Sequence, residues 1–158
     1  MPATKTTTTT KAAAGKAANV WTDEERAAMQ ASARERKAAS RRDPADERAE
    51  GEAEVRAKLA DMPTADRVMG ERIHELVTKT APTLVPKTYY GMPAYAKDGK
   101  VICFYKPKSK FKVRYSTFEF QPDARLDDGD LWPVSFAVTE LNPRSEAKIA
   151  ELVKRAIS

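Results

Sequence analysis

Sequence patterns predict three helices in the first half of the chain, over residues 23–41, 46–60 and 64–80, the second and third from apolar residues at helical spacing. A capping box formed by Thr22 and Glu25 opens the first helix. Its interior is mostly alanine and charge, so we expect an exposed N-terminal helix. The third helix is the best candidate for the core because its large apolar residues share one face: Val68, Met69, Ile73, Leu76 and Val77.

Strand patterns replace helical ones after residue 85. Residues 89–96 predict a first strand, which Gly91 and Pro93 interrupt. Because a proline removes a ladder donor, we expect this strand at the edge of the sheet or beside a bulge. The Asp98–Gly99 pair then predicts a two-residue hairpin turn. Residues 101–105 are apolar on both faces, as is typical of a central strand.

The remaining segments predict the other side of the sheet and a closing helix. Residues 110–118 alternate and predict a strand with Phe111, Val113 and Tyr115 on one face, and residues 134–139 predict a fourth. Asn142 followed by Pro143 begins the last helix. Its buried stripe is formed by Ile149, Leu152, Val153 and Ala156.

This order of elements predicts an α+β fold in which a small antiparallel sheet of three to four strands packs against helices in two layers. One domain covers residues 21–158, with a helical part over 21–82 and the sheet and closing helix over 83–158. Residues 1–20 contain a run of threonines with lysines and alanines but no acidic residue. They have little apolar surface to bury, so we expect a disordered basic tail.

Composition narrows the possible functions. The 158 residues lack an apolar run of about 18 residues, so we expect a cytoplasmic protein with no membrane partner. The single cysteine, Cys103, lies in an apolar run, so we expect a buried thiol. A chain with one cysteine and one histidine cannot form a cysteine–histidine zinc site. The net charge is +5, yet residues 86–116 carry eight basic groups and one acidic group. The positive charge therefore belongs to the strand region.

Several segments together resemble the YdhG-like family of small bacterial domains of unknown function. They are TYYGMPAYAKDGKVICFYKPKSKF, LDDGDLWPVSFAV and EAKIAELVKRA, with WTDEERAAM and HELVTKTAP upstream, so the resemblance covers about residues 21–158. The most characteristic motif, an aromatic followed by Gly-Met-Pro-Ala-Tyr, is residues 90–95 here. The resemblance implies a frataxin-like fold and, from one branch of the family, an iron chaperone role.

The first candidate site is this motif, together with a tryptophan downstream. A kinked strand flanked by tyrosines can wall a pocket, or present a surface to a protein or a small molecule. The alternative is that the same aromatic residues simply close the sheet over a helix. The residues concerned are Tyr90, Gly91, Met92, Pro93, Tyr95 and Trp132.

The second candidate site is a series of alternating basic residues, which would share one face of a strand. Such a row can bind phosphates and hence nucleic acid, weakly and without sequence specificity. The alternative is the solvated face of an amphipathic strand, on which lysines discourage aggregation. The series is Lys106, Lys108, Lys110, Lys112 and Arg114.

The third candidate site is the acidic turn Asp127, Asp128 and Asp130. Hard divalent ions such as ferrous iron prefer oxygen ligands, so this turn is a candidate for weak iron binding. Its spacing does not fit a calcium loop, and Asp128–Gly129 is equally typical of an ordinary turn.

Catalytic motifs are missing from the sequence. His74 lies in HELVT, where a zinc protease would require a second histidine at the position of Thr78, so we expect a surface or packing histidine. We therefore predict a non-enzymatic binding or chaperone-like module that requires no cofactor. The alternatives are weak nucleic-acid binding through the lysine series and the tail, or an enzyme with an aromatic pocket of Tyr90, Tyr95 and Trp132 beside an acid such as Glu119.

Overall fold

The computed structural model describes residues 20–40, 43 and 46–158, and the predicted tail lies outside this part except for Val20. The described residues form an α+β fold with five helices and five strands. The helices are α1 (Asp23–Ala39), α2 (Glu47–Ala60), α3 (Thr64–Thr80), α4 (Lys108–Phe111) and α5 (Pro143–Ala156). The strands are β1 (Val85–Tyr89), β2 (Met92–Lys97), β3 (Lys100–Lys106), β4 (Ser116–Phe120) and β5 (Ser135–Val138).

The strands form one antiparallel sheet in the order β1-β2-β3-β4-β5, so each strand pairs with its neighbour in sequence. The predicted number of three to four strands is therefore too low. The additional strand arises because the predicted strand over 89–96 is wrong in its boundaries. Tyr90 and Gly91 have φ angles of 49° and 75° and reverse the chain between β1 and β2. The predicted turn at Asp98 and Gly99 is confirmed, again with two positive φ angles.

Strand β2 lies inside the sheet, so the edge position expected from Pro93 is wrong. Pro93 pairs with Thr88 of β1, while the pairing of β2 with β3 begins one residue later, at Ala94. The proline therefore lies beyond the end of that second ladder. The register between β2 and β3 shifts between Tyr95 and Ala96, so the expected bulge is present nearby.

The predicted strand over 110–118 is also wrong in its first half. Helix α4 follows β3 directly, Lys112 then adopts a left-handed conformation with φ 52°, and β4 begins only at Ser116. Side chains outside this helix satisfy the backbone at its start: Ser116 Oγ accepts from the Lys108 N–H, and Asp66 Oδ2 accepts from the Ser109 N–H. These tertiary hydrogen bonds outweigh the alternating pattern.

The main core lies between one face of the sheet and the helices. Ile73 and Val77 of α3 meet Tyr95, Tyr105 and Phe118 of the sheet, and all five are fully buried. The predicted stripe of α5 is confirmed, as is the burial of Cys103, whose pKa is strongly raised by that burial. Val68 is the exception, because it is 58% exposed and does not belong to the core face of α3.

A smaller apolar cluster covers the opposite face of the sheet around Met92, Ala94 and Phe104. Helix α1 contacts β1 and α4 near this cluster. The capping box of Thr22 and Glu25 is confirmed, and most of α1 is exposed as expected. The helix nevertheless docks on the domain, because Ala28 and Ser32 are buried. Within the described part of the chain, no helix is long and apolar enough to cross a membrane.

Candidate functional site

The turn between β1 and β2 brings three distant segments together. The Gly91 N–H donates a hydrogen bond of 2.7 Å to Glu35 Oε1 on α1. The Lys110 ammonium of α4 lies above the same glycine, so that a Cβ at Gly91 would be only 2.7 Å from Lys110 Nζ. Glycine is thus favoured here by the positive φ angle, whereas a Cβ would only displace the flexible end of the Lys110 side chain.

A cleft of about 280 Å³ opens beside this turn, and we call it the Gly91 cleft. It lies between the end of α2, the beginning of α3, the β1–β2 turn and the β3–α4 connection. Its lining residues are Lys58, Asp61, Met62, Pro63, Asp66, Gly91, Pro107, Ser109 and Lys110.

Two cations line the Gly91 cleft. Lys110 is half-buried, and its pKa is lowered chiefly by that burial and then by the charge of Lys58, while Glu35 acts in the opposite direction. Among the residues that the structure describes, no carboxylate oxygen lies within 4.0 Å of either ammonium. The cleft therefore contains two unpaired positive charges, one of them partly removed from water.

The two acidic residues of the cleft have different environments. Asp66 is only 3% exposed, and its carboxylate accepts the 3.1 Å hydrogen bond from the Ser109 N–H. Its backbone carbonyl accepts from the Tyr105 hydroxyl at 3.0 Å, and burial raises the pKa of Tyr105 to about 12. Asp61 follows α2 and is exposed. Asp66 therefore holds the wall of the cleft in place, whereas Asp61 lines the cleft as an exposed carboxylate.

His74 belongs to a separate buried network. In the neutral ring, Nε2–H donates to Glu52 Oε1 at 2.8 Å and Nδ1 accepts from the Tyr95 hydroxyl at 2.9 Å. Arg56 Nε donates to the same Glu52 oxygen at 2.7 Å. Burial acts to raise the pKa of Glu52, but the hydrogen bonds and charges of His74 and Arg56 outweigh it and lower the pKa. Burial raises the pKa of Tyr95 well above 10.

This network gives His74 a structural role. Both ring nitrogens are occupied, and the side chain joins α2, α3 and β2. No ring nitrogen remains to hold a ligand or to accept a proton from one. Of the two predicted alternatives for His74, the packing residue is confirmed and the surface residue is wrong, because the side chain is buried.

The structure separates the aromatic residues of the first candidate site. Tyr90 packs on Tyr89, with ring centroids 4.6 Å apart, in the smaller cluster. Tyr95 is fully buried in the main core on the other face, and Trp132 packs against that core. Met92 and Pro93 are buried. Tyr90, Tyr95 and Trp132 therefore do not wall one pocket, and Gly91 alone of the motif lines the cleft.

The basic series does not share a strand face either, because α4 interrupts it. Lys106 Nζ lies 4.8 Å from the centre of the Phe111 ring, and the Arg114 guanidinium lies 5.0 Å from that of Tyr115. Lys112 forms an ion pair with Glu24 of α1, whereas Lys108 is exposed. Only Lys110 enters the Gly91 cleft.

The acidic residues of the third candidate site, Asp127, Asp128 and Asp130, are all exposed. In the described ranges, no three or more histidine, cysteine, aspartate or glutamate side chains are arranged to hold a metal ion. Nearby Asp123 pairs with Lys100 at 3.5 Å.

Comparisons with protein-family models, with curated proteins and with solved structures gave no match to this chain. The YdhG-like resemblance and the frataxin-like fold that it implies therefore stay predictions. The fold and the Gly91 cleft define a small α+β domain with a lysine-lined cleft at one end of its sheet.

Proposed function

We propose that this protein is a non-enzymatic binding module whose Gly91 cleft binds a small molecule bearing a phosphate or carboxylate group. The observation that carries the proposal is the pair Lys58 and Lys110, which line one cleft with no carboxylate within 4.0 Å among the described residues. Partial burial makes an unpaired ammonium costly, and a bound anion relieves that cost.

The two lysines attract an anion, and the exposed carboxylate of Asp61 in the same cleft opposes it. Two unit charges about 4 Å apart attract with roughly 4 kcal/mol at the effective dielectric constant of about 20 that suits sites near a protein surface. Desolvation of the anion and its lost freedom offset part of this gain. The carboxylate of Asp66 repels the anion less than a carboxylate without a hydrogen-bond donor would, because it already accepts a hydrogen bond from the Ser109 N–H.

The size of the site favours a small ligand over a nucleic acid. A volume of about 280 Å³ lies just below the range of ligand pockets, which span roughly 300–1,000 Å³. Three of the other four basic residues of the series are directed to Phe111, Tyr115 or Glu24, so the series forms no continuous track for a phosphate backbone. Iron chaperoning is a separate proposal that rests on the family resemblance alone.

Thermal unfolding with pyrophosphate and with citrate, at low and high salt, tests the proposal. An anion at about 100 times its dissociation constant stabilises the fold by roughly 2.7 kcal/mol, which raises the melting temperature by several degrees. We expect the shift in the wild type and its loss in Lys110→Met and Lys58→Met. Lys108→Met is the matched control, since Lys108 is exposed on the same short helix and does not line the cleft.

Three results contradict the proposal. They are the absence of a shift with either anion, an equal shift in Lys110→Met, and a loss of the shift in the Lys108→Met control. A parallel sample with duplex DNA separates a polyanion site, which Lys108→Met would weaken, from a small-molecule site. An anaerobic sample with ferrous iron tests the iron role independently.

A further inference from the structure

Lys110 lies beside Gly91 at the wall of the Gly91 cleft. Its ammonium lies 5.9 Å from the centre of the Phe111 ring, and a Cβ at Gly91 would be 2.7 Å from it. The side chain is half-buried and opens into the Gly91 cleft. A lysine that is partly removed from water and shares a cleft with a second cation, here Lys58, has the surroundings that favour its action as a nucleophile.

We propose that the Lys110 amine captures the carbonyl carbon of a small oxo acid as a reversible imine in the Gly91 cleft. This inference rests on the proposed function, because Lys58 supplies the charge that holds the carboxylate of the oxo acid. The ligand class is an aldehyde or ketone next to a carboxylate, small enough for about 280 Å³.

The step balances without an external oxidant or reductant. The nitrogen lone pair forms a bond to the carbonyl carbon, and one proton moves from nitrogen to the carbonyl oxygen to give a carbinolamine. Loss of that hydroxyl as water, with the second nitrogen proton, leaves the C=N bond. Addition of water reverses the sequence and releases the ligand and the free amine.

The charges around the amine favour this chemistry. Only a neutral amine attacks a carbonyl, so a lysine is activated by desolvation or by a second cation nearby. Burial and the charge of Lys58 both lower the pKa of Lys110, against the opposing charge of Glu35 on α1. Asp61 and Asp66 also face the cleft, and Asp66 is engaged by the Ser109 N–H.

Trapping with borohydride in the presence of glyoxylate tests the inference. Reduction converts an imine into a stable secondary amine, which intact mass and peptide mapping locate. We expect one labelled lysine per chain, Lys110, and loss of that species in Lys110→Met. The remaining lysines of the same chain serve as internal controls, with Lys108 as the neighbour on the same helix. Labels spread over exposed lysines, or an unchanged labelled species in Lys110→Met, would overturn the inference.

The variant Lys58→Met changes the pH dependence of trapping, which a purely structural role of Lys110 would leave unchanged. Removal of the neighbouring charge in Lys58→Met raises the pKa of Lys110, so the pH at which trapping reaches half its maximal rate moves upward. An unchanged pH profile contradicts the assignment. The two proposals fail separately: pyrophosphate binding without trapping at Lys110 overturns only the imine, whereas trapping at Lys110 without pyrophosphate or citrate binding overturns the general anion site.

Discussion

Gly51→Ala provides the sharpest test of how the helical layer meets the sheet. Gly51 lies within α2 and is buried against β1. A Cβ at this position would be 1.9 Å from the Pro86 carbonyl oxygen and 3.0 Å from its carbon. Both of these atoms are backbone, so no side-chain rotation can relieve the clash. Helix α2 must move away from β1 if alanine is to fit.

The magnitude follows from two opposing effects. Alanine is about 1 kcal/mol better than glycine in a helix interior, so propensity alone predicts stabilisation. Ordinary contact requires about 3.5 Å, so α2 must shift by about 1.5 Å. That shift loosens the packing of Val55 and Leu59, which are 0% and 2% exposed. Overpacking of this kind costs about 3 kcal/mol, so we expect a net destabilisation of about 2 kcal/mol and a melting temperature lower by roughly 4–8 °C.

Thermal and urea unfolding of Gly51→Ala measure this effect, with Ala53→Gly as the matched control. Ala53 is exposed on the same helix, so its substitution by glycine reports helix propensity alone and should cost about 1 kcal/mol of stability. The reasoning is refuted if Gly51→Ala is as stable as the wild type or more stable. That result would mean that α2 does not lie as close to β1 as described.

Three further changes test the polar contacts. His74 and Arg56 lower the pKa of Glu52 from 4.5, so the ionised carboxylate stabilises the folded protein above that pH. The wild type should therefore be more stable than Glu52→Gln at neutral pH, and this difference should shrink as the pH falls below 4.5. Urea unfolding at a series of pH values measures it. Tyr105→Phe leaves a buried Asp66 carbonyl without its donor and should cost about 1–2 kcal/mol in the same assay. Asn142→Ala removes the side chain that accepts from the Ser145 N–H at the start of α5, and a loss of about 1 kcal/mol is expected in thermal unfolding; no loss would show that the cap is dispensable.

Elements with local signals were predictable from the sequence. The Asn142–Pro143 start and apolar stripe of α5 are contained within one helix, and the Asp98–Gly99 turn requires only two residues that tolerate positive φ angles. The capping box of α1 is equally local. In each case the interacting atoms are a few residues apart, so the sequence pattern and the structure describe the same contacts.

Elements fixed by distant contacts were not predictable. Helix α4 replaces a predicted strand because Asp66, 43 residues upstream, accepts from Ser109. The Gly91 cleft combines Lys58, Gly91 and Lys110, whose proximity no spacing indicates. Pro107, which immediately precedes α4, was the one local sign that the alternating lysines did not continue a strand.

The sheet order also has a consequence for how the chain folds. Since every strand pairs with the strand before or after it, the sheet can assemble by closing one hairpin at a time, without threading a strand between two others. The longest of these closures joins β4 to β5 across residues 121–134. The entropic cost of closing a loop grows only with the logarithm of its length, so each of these closures has a small free-energy cost. We expect the slow step to be the docking of α2 and α3 on the sheet, because their partners there lie farther along the chain.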